Sequence, residues 1–388
     1  MRIALLAPLP PAQSGIADYA AAWCAAMAQE GITIVSPPTV AGEGWPAAAD
    51  GFWDTVDLVH AELGGGRARE FLMLEQLQRQ RPALPLTATV HDPERLVWRD
   101  PSPAGASAGA PWPLPQVLAL ARNPATLARE RRLAAGMARL VTLTTTGGQC
   151  LRQRMRLRDG QLQVIAHGNQ AVAAAPLPEN GPLKLLYFGF LYPGKGIEDL
   201  LRALADVVRE RPQAALQLTL AGGSAPELTF GARGNYVDQL RAQARDLGIE
   251  SQLHWQLDLP RAQIVPCVQA HHALVLPYRE SWRIGLLGRM RGTSGALSWA
   301  NACGRGVISS DARAFAEEVS HGNGVVFAQG DHAQLAQRIA SVLDDRWQLD
   351  GWAHAAAMLG RQRQWPNVAR QFATMFAAVR EGACARAG

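Results

Sequence analysis

Short apolar runs alternate with amphipathic stretches along almost the whole chain. Ile3–Ala7 reads as a buried strand, and after a loop ending at Ser14-Gly15 the residues Ile16, Tyr19, Trp23 and Met27 recur on one helical face. Further strands are expected at Ile32–Val35, Leu58–His60, Leu86–Val90 and Leu140–Thr144, with a helix over Ala68–Arg79. Asp100–Pro115, rich in proline and small residues, is expected to be a long loop, and Ala171–Pro182 a linker. Alternation then resumes with strand Leu185–Phe188, helix Ile197–Glu210, strand Leu216–Leu220, helix Tyr236–Leu247 and strand Leu253–Gln256. A short helix to His271, strand Leu274–Leu276, helix Ser294–Cys303, strands Val307–Ser309 and Val325–Phe327 and helix Ala333–Leu343 follow, and an amphipathic helix Val368–Arg380 closes the pattern. Such alternation predicts doubly wound parallel sheets.

The 388 residues fit two domains of about 180 residues each. With 48% hydrophobic residues the chain can bury sizeable cores, which excludes wholesale disorder. A net charge of +5 favours anionic partners: phosphates, nucleic acid or lipid head groups. The five cysteines are scattered without a CxxC pair, which argues against a disulfide framework or a zinc site and for a reducing cytoplasm. No apolar run approaches the roughly 18 residues that a spanning helix needs. The apolar stretch at the N-terminus is interrupted by Pro8, Pro10 and Pro11 and reads as a first strand rather than a signal peptide.

Of 38 basic residues only Lys184 and Lys195 are lysines, and both flank one apolar strand. Lys195 falls in the turn between that strand and the next helix, among Gly189, Gly194 and Gly196. Free N–H groups and the positive end of the helix dipole make such a turn a seat for phosphate. Glycine lets backbone approach the ligand and lysine adds a compact cation. The competing reading is an ordinary surface lysine.

Other local patterns stand in a characteristic order. They are Pro10-Pro11 with Gly15-Ile16 and Asp18-Tyr19, then Thr89 to His91-Asp92, then Val164 to His167-Gly168. The second half adds Gly189 to Lys195-Gly196, Ala221-Gly222-Gly223, Leu276-Pro277-Tyr278, Ser294-Gly295 to Ala302-Cys303-Gly304, Glu317-Glu318-Val319 to Gly324, and Gly330-Asp331. On these residues the chain resembles, over nearly its whole length, the GT-B glycosyltransferases, specifically the large retaining group called glycosyltransferase family 4. The resemblance implies an α/β fold of GT-B architecture, with two doubly wound Rossmann-like domains facing a central cleft. Residues 1–175 would bind the acceptor and 180–362 the nucleotide-sugar donor, with a final helix over 366–384 packed back on the first domain. It also implies that the Gly15 turn approaches the donor, that the imidazole of His91 donates to a hydroxyl of the transferred sugar, and that Lys195 binds phosphate. The local alternatives are a plain turn glycine and a strand-end histidine satisfied by a carbonyl.

Two departures from the family pattern stand out. The arginine usual five residues before the lysine is Phe190, and the usual pair of glutamates is replaced by Arg291 and Trp299. Thr293, Ser294 and Gly295 open a helix there, where hydroxyls and free N–H groups suit a diphosphate, although Ser294 also reads as an ordinary N-cap. Arg279, Arg283, Arg289 and Arg291 precede it; they read either as solvated surface or as replacement cations. His91 and Lys195 are therefore the catalytic candidates. Gly15, Gly189, Lys195, Arg283, Arg289, Arg291, Thr293, Ser294 and Gly295 are the donor-binding candidates, and no metal or other cofactor is expected because no Asp-x-Asp motif is present. A second basic cluster, Arg122, Arg129, Arg131, Arg132, Arg139, Arg152, Arg154, Arg156 and Arg158, reads either as a solvated face or as attraction to an anionic membrane surface. It lacks interleaved aromatics, which disfavours nucleic acid. The leading expectation is a retaining transferase using a nucleotide diphosphate sugar and a glycan or lipid-linked acceptor, cytoplasmic or peripheral on the inner membrane face. The rivals are a non-catalytic nucleotide-sugar-binding or partner protein of the same architecture and, less well supported by placed carboxylates, a sugar-nucleotide epimerase.

Overall fold

The computed structural model describes residues 1–38, 51–64, 67–98, 114–179, 181–223, 230–231, 234–280 and 287–387. The chain forms two compact units. The first comprises Met1–Gly168, Trp282–Thr293 and Trp365–Gly388, and the second Asn169–Ser281 and Ser294–Gln364.

In the first unit the order is β1 (Arg2–Leu6), α1 (Gly15–Gln29), β2 (Thr33–Val35), β3 (Leu58–Leu63), α2 (Arg69–Gln80), β4 (Leu86–Val90), α3 (Leu114–Gly136), β5 (Arg139–Thr142), α4 (Thr145–Met155) and β6 (Leu162–Val164). The strands make one parallel sheet in the order β2-β1-β3-β4-β5-β6. Every residue of β3 and β4 is buried, as expected for a parallel sheet covered on both faces. Alternation within β1 divides the core. Ala4 and Leu6 join Phe71, Leu74 and Leu77 on one face, and Ile3 and Leu5 join Trp23 and Met27 on the other. The second face is completed by Phe372, Met375 and Phe376 of the C-terminal helix Trp365–Ala387.

Several expectations are corrected. Most of the expected loop Asp100–Pro115 lies outside the described residues, but Leu114 and Pro115 already open α3, where a first-turn proline needs no N–H partner. α4 was hidden by Gly147 and Gly148 in its first turn. A Cβ on Gly147 would stand 2.5 Å from the Pro93 side chain and 2.8 Å from the Arg291 carbonyl, so the glycine serves a close approach rather than a loop.

The second unit runs β7 (Leu183–Phe188), α5 (Ile197–Glu210), β8 (Leu216–Gly222), the two-residue strands β9 (Phe230–Gly231) and β10 (Gly234–Asn235), α6 (Tyr236–Asp246), β11 (Leu253–Leu257), α7 (Ile264–Gln269) and β12 (Ala273–Leu276). It continues through α8 (Gly295–Ala302), β13 (Gly306–Ser310), α9 (Phe315–Val319), β14 (Gly324–Phe327), α10 (His332–Asp344) and α11 (Gln348–Gln362). Its main sheet is parallel with order β11-β8-β7-β12-β13-β14. The stretch expected as a linker is instead fastened to this unit. Arg305, 1% exposed, donates to the carbonyls of Ala175, Pro176, Gln269, His271, Cys303 and Gly304, and the ring of His272 bridges the Lys184 N–H and the Pro178 carbonyl.

Strand order reverses between β1 and β3 in the first unit and between β7 and β12 in the second. In open parallel sheets a ligand crevice lies beyond the carboxyl ends of strands at such a reversal. The loops after β1, β3, β7 and β12 therefore border these crevices.

Candidate active site

In the second unit three sequence-predicted elements meet around Tyr278. β7 ends into Gly189–Gly196, where Gly189, Gly194 and Gly196 have φ of +142°, +95° and +71°. Gly196 is the N-cap of α5, and a Cβ there would fall 1.8 Å from the Pro277 carbonyl oxygen, so glycine is required for the turn to lie on the end of β12. Lys195 Nζ rests 3.8 Å from the centroid of the Tyr278 ring and 4.9 Å from that of Tyr192, a cation–π arrangement. The Tyr278 hydroxyl lies 3.2 Å from Ser294 Oγ, which in turn accepts from the Ala296 N–H and caps α8. A Cβ on Gly189 would stand 3.6 Å from the same hydroxyl. Burial raises the pKa of the Tyr278 phenol, but the Lys195 charge, the Ser294 hydrogen bond and Arg313 outweigh it and hold the group below its ordinary value. Gly189, Lys195, Ser294 and the exposed Gly295 are thus brought to one corner of the sheet. Arg279 is tied to the buried Asp199 of α5 at 3.2 Å.

In the first unit His91 follows β4, and its Nε2 lies 2.7 Å from Oε2 of Glu62, a fully buried residue of β3. Burial alone would favour the neutral acid. Hydrogen bonds and charge from His60 and His91 reverse this and hold the Glu62 carboxyl below its usual range. An ionised Glu62 only accepts, so His91 donates through Nε2 and its Nδ1 remains for other work. Toward a sugar hydroxyl, Nδ1 accepts when the ring is neutral and donates when it is protonated. Tyr19 packs edge-on against His91 at 4.8 Å and His167 at 5.0 Å. A Cβ on Gly64, just past β3, would approach His91 Cβ to 2.8 Å and Ile16 Cδ1 to 3.1 Å, so the start of α1 beside Gly15 lies close to His91. Gly15 itself has nothing within 4 Å of its would-be Cβ, so packing does not explain the glycine. Gly168 is structural, because a Cβ there would enter the Trp365 ring at 2.3 Å.

The arginine loop belongs to this first unit. The Arg291 N–H donates to the Pro93 carbonyl at 2.7 Å, the Arg289 N–H to Glu94 at 2.6 Å, and Gly292 lies against the His91 carbonyl. Arg289 and Arg291 therefore accompany His91, and they border a cavity of about 480 Å³ with Glu94, Cys150, Gln153 and Arg154. The sheltered Thr293 hydroxyl has no hydrogen-bond partner among the described residues. Arg283 lies outside the described residues. Glu62 escaped sequence reasoning because an isolated carboxylate in an apolar run looks like the end of a strand. Its signal was its place two residues after another buried polar group, His60.

Solved structures share this architecture over almost the entire chain. Sucrose-phosphate synthase of Thermosynechococcus elongatus aligns with TM-score 0.71 at 16% identity, over 98% of this chain and 99% of that one. The Anabaena protein HepE in complex with UDP-glucose aligns with TM-score 0.69 at 18% identity, over 97% and 100%. The fold is therefore that of the GT-B glycosyltransferases. The family model for glycosyl transferases group 1 matches residues 170–358, most of the second unit. Glycogen synthase of Mycobacterium tuberculosis is 30% identical over 231 residues, 57% of this chain and 50% of that protein. D-inositol 3-phosphate glycosyltransferase of Corynebacterium jeikeium is 30% identical over 162 residues, 41% of this chain and 35% of that protein. The chain thus spans half or less of the length of these curated relatives.

Proposed function

We propose that the protein transfers a sugar from a nucleotide diphosphate donor to a hydroxyl of a glycan or lipid-linked acceptor, with retention, in the synthesis of cell-surface polysaccharide. The observation that carries this reading is the corner where Lys195, Ser294 and the glycine turn meet at the strand reversal of the second unit. A lysine, a capped helix start and backbone N–H groups are the equipment for a departing diphosphate, whose charge is what most needs stabilising. The second unit would hold the donor and the first, with His91, the acceptor; Arg289 and Arg291 are further candidates for phosphate contact. UDP-bound relatives of the same fold support a nucleotide donor. Calorimetry with UDP, ADP and GDP tests the reading: Lys195→Ala is expected to lose roughly 1.5–3 kcal/mol of nucleotide affinity. Unchanged affinity in a folded variant removes Lys195 from the site.

Phe190 and the absent glutamate pair favour a second reading, a protein that binds a nucleotide sugar without transferring it. Hydrolysis or transfer of a labelled donor by the purified protein decides against that reading. The exposed Arg122, Arg132, Arg152, Arg156 and Arg158 support weak attraction to an anionic membrane on the cytoplasmic side. Several other arginines of that cluster are engaged within the unit, among them Arg129 with Glu75 and Arg154 with Glu94. Co-sedimentation with anionic vesicles should fall as salt screens the charges. Equal binding to neutral vesicles would remove the attraction. No helix among the described residues is long and apolar enough to cross a membrane.

A further inference from the structure

Tyr278 follows β12, is 5% exposed, and touches each element to which the donor reading assigns a role. Its ring carries Lys195 Nζ at 3.8 Å, its hydroxyl meets Ser294 Oγ at 3.2 Å, and the same hydroxyl faces Gly189. The residue is also held from behind. Ser310 Oγ donates to its carbonyl at 2.7 Å, and Phe315 packs on its ring with centroids 5.1 Å apart. A tyrosine buried in a core needs only one partner for its hydroxyl. Tyr278 finds that partner on the cap of α8 and carries a cation on its ring as well.

We propose that Tyr278 is a positioning residue of the donor site: its ring seats Lys195 and its hydroxyl orients Ser294, so that one side chain sets both groups offered to a nucleoside diphosphate. The proposal rests on the donor reading of this corner. In the absence of nucleotide the lysine charge is supported by the ring. A diphosphate arriving there draws the ammonium from the ring to its own oxygens, a stronger partner than a π face. The Ser294 hydroxyl, whose oxygen already accepts from Ala296, keeps its remaining hydrogen-bonding capacity aligned through the phenol.

The scarcity of lysine makes the test direct. Reductive methylation with a 13C label keeps the positive charge and marks only Lys184, Lys195 and the N-terminal amine. Lys195→Arg assigns the signals. The Lys195 methyls should lie upfield of those of Lys184 from the ring current, should remain so in Tyr278→Phe, and should move back in Tyr278→Leu. Titration with UDP, with ADP and GDP in parallel, should shift the Lys195 signals downfield. In calorimetry Tyr278→Phe should weaken nucleotide binding about five- to tenfold, the worth of one hydrogen bond. Tyr278→Phe combined with Ser294→Ala should be little worse than either alone, because the two share one interaction. Tyr278→Leu should approach the loss seen in Lys195→Ala. Nucleotide binding by the parent that Tyr278→Phe and Tyr278→Leu leave unchanged overturns the positioning role alone, as does strict additivity with Ser294→Ala. A parent that binds none of the three nucleotides overturns the donor reading and this inference with it, whatever the lysine spectrum shows.

Discussion

Replacing Gly196 by alanine asks how tightly the phosphate turn is built into the second unit. At φ +71° an alanine pays for the left-handed conformation with about 1–2 kcal/mol. Its Cβ would also stand 1.8 Å from the Pro277 carbonyl oxygen. Carbon and oxygen normally stay about 3.3 Å or more apart, and since both atoms belong to the backbone frame neither can rotate away. Overpacking of that kind costs about 1–3 kcal/mol. The sum, about 2–5 kcal/mol, is a large share of the roughly 5–15 kcal/mol that holds a domain folded. Two controls separate the contributions. Gly194 has φ +95° and nothing within 4 Å, so Gly194→Ala should carry only the conformational cost. Gly15 has neither a positive φ nor a neighbour within 4 Å, and Gly15→Ala should be within about 0.5 kcal/mol of the parent. Because a chain of two units need not melt in one transition, the measurement is hydrogen exchange by mass spectrometry on peptides from β7 and α5 for Gly196→Ala and Gly194→Ala, and from β1 and α1 for Gly15→Ala. The expected order of loss is Gly196, then Gly194, then Gly15. A Gly196→Ala variant within 1 kcal/mol of the parent, or one less damaged than Gly194→Ala, refutes the reasoning.

Glu62→Gln keeps the size of the side chain but removes the charge that directs His91; transfer activity should fall about 10-fold or more, while nucleotide affinity, assigned to the other unit, stays as it was. An equal loss of both would mean that the substitution damages the whole molecule. Burial holds both His271 and His272 below the ordinary histidine value, so the unfolded chain takes up their protons first. Stability of the second unit should therefore be full above pH about 6.5 and decline as pH falls through that value toward the lower folded values. Equal exchange protection in β8 and β12 at pH 7.5 and 5.5 would contradict this.

Most of the fold was legible where local and tertiary demands agreed. α5 has the bounds the sequence predicts, because Gly196 marks its start and its apolar spacing faces the sheet. Where tertiary packing placed glycine or proline inside a helix, as at Gly147 and Gly148 in α4 or Pro124 in α3, the sequence pattern announced no helix. β3 was cut short at His60 for a related reason. A buried carboxylate at Glu62 is tolerated only because His91 waits on the next strand's extension, and no local pattern announces that partner. At the candidate site Lys195 and Ser294 were recognisable from the turn and the cap. Tyr278 stands in one of the recognised patterns, but its contact with Lys195 spans 83 residues of chain and no local motif announces it. The backbone hydrogen bonds of Arg289 to Glu94 and of Arg291 to Pro93 join residues far apart in the chain, and no local pattern announced them.

The interleaving of the two units also dictates how the molecule can be made. One face of the first sheet, with Ile3, Leu5, Leu58 and Val141, is closed by Val368, Phe372, Met375 and Phe376, which are translated after the entire second unit. At ordinary elongation rates the N-terminal half leaves the ribosome roughly 10–40 s before its own last helix exists. During that interval it carries an open apolar face, while most of the second unit's chain is emerging behind it. A nascent first unit thus offers a chaperone an apolar face to hold until Trp365–Ala387 has been made to cover it.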